Sequence, residues 1–168
     1  MDEICVYDDI FSEDEVERIR KLLLFECPFF YGVGDNPRQT PTGMTYDFKS
    51  PALPIEVKDL LDFLILKIFE KNEKIKNKRI HLVRSNLFIP GENPYFHPDG
   101  DDKITCLYYI NPDYDPDEGG ETQFLIDNEI KGIRPKLGRL VIFDGSLVHR
   151  ATSFRTHPRL TLAITFYK

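Results

Sequence analysis

Tryptophan is absent from this sequence, and only two methionines, three cysteines and four histidines occur in 168 residues. Each scarcity narrows the reading. Cys5, Cys27 and Cys106 are odd in number and have neither CxxC nor zinc-finger spacing, which argues against a disulfide scaffold and a cysteine-built zinc site. They read as reduced thiols of a cytoplasmic protein. The opening MDEICVYDD has no basic segment followed by an apolar run, so no secretory signal is expected. Nowhere do about 18 apolar residues run together, so no membrane span is expected either. The formal net charge of -6 disfavours an extended phosphate-binding surface. One local basic strip, Lys67, Lys71, Lys74, Lys76, Lys78 and Arg79, reads first as a solvated helix end and turn.

What is present suits a globular chain. Hydrophobic residues make up 41%, against 10 glycines and 12 prolines, and the length fits one domain over 1–168. Ser12 with Glu15 three residues on makes a capping box. Val16, Ile19, Leu22 and Leu23 follow at helical spacing, predicting a helix over about 13–25 that stops before Pro28. Residues 31–43 are turn-rich and without periodicity, a lid or a plain connection. Val57, Leu60, Leu61, Leu64 and Ile65 form the apolar face of a second helix over about 55–70. On this reading two helices precede all the strands.

From Arg79 the texture changes to short strands between glycine, proline and aspartate turns: HLVRSNLFI, YFHPD, ITCLYYI, ETQFLI, LGRLVIFDG, LVHRAT and RLTLAITFY. A mainly β fold follows, a barrel or two-sheet jelly roll over about 79–168, with the helices covering one outer face. The last strand has two unlike faces. Leu160, Leu162, Ile164 and Phe166 are wholly apolar, whereas Arg159, Thr161, Ala163 and Thr165 are small or polar. A polar cavity inside the roll accounts for the second face, provided Arg159 meets an anion there.

In PYFHPDG, His97 and Asp99 are two apart in an extended chain and so point to one side. Together with His149 they supply two imidazoles and one carboxylate, the donor set of a facial triad on non-haem iron, with open positions for substrate and oxygen. Taken alone, the pair is a weak motif and reads first as two surface or turn-stabilising residues. The ligand types do not separate iron from manganese, nickel or zinc. The planar fork of Arg159 suits bidentate pairing with a carboxylate, and Thr161 on the same strand face offers a hydroxyl to that carboxylate.

In this order, YFHPD, TCLYYINPDYDPDEGGETQF, RPKLGRLVIFDGSLVHRA and RLTLAITF resemble the iron(II) and 2-oxoglutarate dependent oxygenases, especially their prolyl hydroxylase-like branch. The resemblance runs from Tyr95 to Tyr167. It implies a double-stranded β-helix of the cupin-like, jelly-roll kind. It makes His97, Asp99 and His149 the metal ligands, and gives Arg159 and Tyr109 to the remote carboxylate of 2-oxoglutarate, with Thr161 as a neighbour. Tyr95 falls where such enzymes line the mouth of the site and is a candidate substrate contact. Gly119, Gly120 and Thr122 read as a structural turn into an inner strand. Collagen-type members often have lysine where this chain has Arg159.

The implied reaction couples decarboxylation of 2-oxoglutarate, giving succinate and carbon dioxide, to hydroxylation of a substrate C–H bond by O2. Fe(II), 2-oxoglutarate and O2 are the implied cofactors, with ascorbate as a further one. The leading substrate is a prolyl residue in a peptide or protein. Residues 31–49 and the acidic turn DYDPDEGGE are candidates to frame the mouth, or are ordinary surface loops. A nucleic-acid oxidative demethylase is the first alternative, on the basic strip and the terminal strand, against the acidic total and the missing tryptophan. A free amino-acid hydroxylase and a non-catalytic jelly-roll binding protein complete the set.

Overall fold

The computed structural model describes residues 4–33, 42–48 and 55–168. Part of the suggested mouth segment 31–49, namely 34–41 together with 49, lies outside them. The chain runs β1 (Cys5–Tyr7), α1 (Glu13–Phe25), β2 (Phe30–Val33), β3 (Thr42–Asp47), α2 (Ile55–Lys71), β4 (Ile80–Phe88) and β5 (Lys103–Tyr109). Then come β6 (Thr122–Ile126), β7 (Glu129–Ile133), β8 (Leu140–Asp144), β9 (His149–Ala151) and β10 (Arg159–Tyr167). Seven strands form an antiparallel sheet in the order β1-β8-β5-β10-β4-β3-β2, and three form a second in the order β7-β6-β9. These two facing antiparallel sheets are those of a double-stranded β-helix.

Both helices lie on the outer face of the large sheet. Ser12 caps α1 through the capping box, its hydroxyl accepting from the Glu15 amide while the Glu15 carboxylate accepts from the Ser12 amide. Val16, Ile19 and Leu23 of α1 and Leu60, Leu61, Leu64 and Ile68 of α2 are buried in one core with Leu160, Leu162, Ile164 and Phe166 of β10. Each such leucine or isoleucine contributes roughly 1.5–3 kcal/mol on burial. The opposite, inward face of the sheet carries Leu107, Tyr109, Val141 and Phe143, which pack with Phe124 of the small sheet in a second cluster. The two faces of β10 therefore serve different layers. One seals the helices and the other lines the space between the sheets.

The strand content exceeds the sequence reading at four places. β1 precedes both helices, and β2 with β3 forms a hairpin between them, overlapping both ends of the 31–43 stretch read as turns. The hairpin extends the large sheet because β3 pairs with β4, Met44 opposite Leu87 and Asp47 opposite Arg84. Its strand state comes from that partner rather than from local alternation, which Gly32 and Gly43 interrupt. β7 is mostly exposed and so lacks an apolar face to read. Its signal was the two-residue turn Asp127–Asn128, both with positive φ (53° and 63°), which closes β6 on β7.

Candidate metal centre

His149 opens β9, and its partner across an antiparallel bridge is His97. Each donates its amide to the other's carbonyl, at 2.9 and 3.0 Å, and the two rings lie 4.8 Å apart. This reciprocal pair is what brings two distant histidines together. Each ring is oriented by a backbone carbonyl. His97 Nδ1 meets Tyr95 O at 3.0 Å and His149 Nδ1 meets Leu147 O at 2.8 Å. A carbonyl only accepts, so Nδ1 carries the proton and a neutral ring keeps its Nε2 lone pair for a ligand bond. Phe124 and Phe143 pack on the His149 ring, which is buried.

Asp99 follows His97 by two residues and completes the group. One ligand atom from each of His97, Asp99 and His149 lies within 4.8 Å of the others, and Asp99 Oδ2 stands 3.7 Å from His149 Nε2. The Asp99 backbone is anchored by its own amide and that of Gly100, which both donate to Gly145 O at 2.7 and 3.0 Å. Gly145 has to be glycine for this approach. A Cβ there would stand 2.8 Å from both Gly100 O and Lys103 Cβ.

The triad opens on a cavity of about 110 Å3 between the sheets, which is also lined by Arg84, Asn86, Thr105, Arg159, Thr161, Ala163 and Thr165. Arg159, Thr161, Ala163 and Thr165 are the small and polar face of β10. Arg159 is 1% exposed. Its Nε donates to Gly120 O at 2.8 Å, its Nη2 to the Thr122 hydroxyl at 2.9 Å, and its Nη1 reaches Thr161 Oγ1 at 3.5 Å. No carboxylate pairs with it among the described residues. Burial pushes the guanidinium below its ordinary pKa, with Tyr109 opposing. A buried cation with neutral partners alone is costly until an anion reaches it.

Tyr109 is equally buried. It stands behind the lining, its hydroxyl bonded to Thr122 and its ring 5.4 Å from the Arg159 guanidinium carbon. Burial raises its pKa, and Arg159 pulls the other way. Thr161 lines the cavity opposite Tyr109. Tyr95 is 51% exposed and outside the residues that line the cavity, whereas its carbonyl orients His97. Two threonines went unread as site residues. Thr122 joins Arg159 to Tyr109, and the Thr105 hydroxyl donates to Asp99 Oδ2. The available signal for Thr122 was its place in GGETQF. For Thr105 it was strand alternation with Leu107 and Tyr109.

Residues 91–167 match the family model described as 2OG-Fe(II) oxygenase superfamily. That segment, 77 of the 168 residues, is what the chain shares with this superfamily. No curated protein sequence matches the chain. Among solved structures, a prolyl-4-hydroxylase from Pseudomonas putida is similar at TM-score 0.70 and 19% identity, over 98% of this chain and 92% of that one. A prolyl hydroxylase from Trichoplax adhaerens, in complex with a hypoxia inducible factor peptide fragment, is similar at TM-score 0.74 and 17% identity, over 98% and 83%. HygX from Streptomyces hygroscopicus, with nickel, 2-oxoglutarate and hygromycin B bound, is similar at 0.73 and 13%, over 98% and 82%.

The oxygenase cofactors Fe(II) and 2-oxoglutarate are implied by the family and by the triad. The donor chemistry fits both. Two imidazole nitrogens and a carboxylate suit a divalent iron with open positions, and the orphaned charge of Arg159 suits one end of a dicarboxylate.

Proposed function

We propose that this oxygenase hydroxylates a prolyl residue of a peptide or protein. The observation that carries the oxygenase part is the pairing, in one cavity, of the His97–Asp99–His149 group with a buried Arg159 that has no carboxylate partner among the described residues. The prolyl part is supported by the likeness to the Pseudomonas and Trichoplax hydroxylases, the second of them solved with a peptide. The Asp99 side of the triad supports it too, since 25% of that side chain is exposed and an extended chain can approach there.

Bound at the triad, Fe(II) with 2-oxoglutarate supplies oxidative decarboxylation that activates O2 for attack on a C–H bond. The chain's own residues do the rest. His97 and His149 hold the metal through Nε2, kept in that tautomer by the Tyr95 and Leu147 carbonyls. Arg159 binds the far carboxylate of the co-substrate, with its fork held flat by Gly120 O and Thr122. Tyr109 fixes the Thr122 hydroxyl from behind, and Thr161 offers a second one beside the guanidinium. Leu107, Phe143, Ala151 and Ala163 keep the intervening wall apolar and limit water around the reacting centre.

HygX, solved with hygromycin B, motivates a second reading in which the substrate is a small polar molecule. The deciding experiment incubates the iron-loaded protein with 2-oxoglutarate and a panel of proline-containing peptides, free amino acids, aminoglycosides and methylated single-stranded DNA. Gain of one oxygen atom on proline, with matching succinate, supports the proposal. The same gain on another panel member alone replaces it.

A further inference from the structure

Asp99 is the exposed member of the triad, and unlike His149 it lies outside any strand. Its backbone is clamped to Gly145 O by two amides, and Gly145 is clamped in turn to Lys103 O at 2.9 Å. Those bonds fix the Cα. They leave the side-chain torsions able to swing the carboxylate outward, where water competes for both oxygens.

Among the described residues, one side chain donates a hydrogen bond that opposes that swing. The Thr105 hydroxyl donates to Asp99 Oδ2, the same oxygen that stands 3.7 Å from His149 Nε2. Thr105 is 3% exposed and sits in the middle of the large sheet, opposite Phe143 on β8 and Thr165 on β10. Its backbone is thus held from both sides, and its β-branched side chain is stiff at χ1. The donor sits on a strand paired on both sides and the acceptor lies outside any strand, so the bond acts on Asp99 rather than on Thr105.

We infer that Thr105 is a positioning residue of the metal centre, holding the Asp99 carboxylate turned into the triad before the metal arrives. This rests on the metal-centre reading above and deepens it. Outer partners that orient a ligand set affinity by about 10- to 100-fold. A threonine that only fills space in the sheet would affect folding and leave metal affinity alone.

The test is a Co(II) titration of the metal-free full chain, followed by visible absorption, for wild type, T105V, T105A, T105S and H149A, with thermal melts of each metal-free protein. T105V and T105A are expected to weaken Co(II) by about 10-fold or more, and T105S to restore it to within about 2-fold. The expected losses do not track the melting temperatures. Equal affinity in wild type, T105V and T105A overturns the proposal, as does a T105S protein as weak as T105V. A wild type that binds Co(II) no better than H149A overturns the metal-centre reading itself, and this inference with it.

Discussion

The Arg159 guanidinium donates to the Thr122 hydroxyl over 2.9 Å, and the same hydroxyl is bonded by Tyr109. Thr122, the Gly120 carbonyl and, behind them, Tyr109 thus hold one buried cation against the cavity, and among the described residues its partners are all neutral. Such a donor set suits an anion, as the far carboxylate of 2-oxoglutarate would be.

Arg159→Ala should therefore act on 2-oxoglutarate binding. Removing one partner of a buried charge pair costs about 2–5 kcal/mol, or at least roughly 30-fold in affinity. In the presence of Mn(II), 2-oxoglutarate at 100 times its Kd should stabilise wild type by about 2.7 kcal/mol. For this chain length that raises Tm by roughly 5–10 °C. Thermal melts of R159A should show most of that rise lost at the same concentration, and R159K should keep part of it.

The two faces of β10 were legible because strand alternation is local: apolar residues at 160, 162, 164 and 166 needed no partner to be recognised as core. The triad was legible through its ordered motifs. Their meeting was not, because the His97–His149 bridge is a matter of which strands pair. The same holds for the β2–β3 hairpin, whose strand state comes from β4, and for Thr105 and Thr122, whose partners are settled by register across the sheets. Local pattern gave the layers, and long-range pairing gave the site.

Gly145→Ala should loosen the triad from behind. The added methyl would press on Gly100 O and Lys103, the backbone that anchors Asp99. Overpacking of this kind costs about 1–3 kcal/mol, a fall of roughly 2–12 °C in Tm. Melting curves measure the stability loss, and Co(II) affinity should drop with it.

Asp144 gives the fold an acid limit. Burial alone would raise its carboxyl, but the bonds from Lys168 and Ser146 outweigh this and bring it from 3.8 down to about 2. A depressed pKa means stability that is fully present above pH 3.8 and lost as pH falls through about 2. Lys168 is 38% exposed, so solvent screening reduces the contribution to about 1–2 kcal/mol. Urea unfolding should find D144N less stable than wild type by that amount at pH 6, with the difference closing as pH falls from 4 to 2.

The most direct measurement is anaerobic titration of the Fe(II)-loaded protein with 2-oxoglutarate, watched for the visible charge-transfer band that forms when the 2-oxo acid chelates iron. A band is expected in wild type, with its loss in H97A and a shift to higher 2-oxoglutarate concentrations in R159A. A folded, iron-loaded wild type that gives no band contradicts the oxygenase reading.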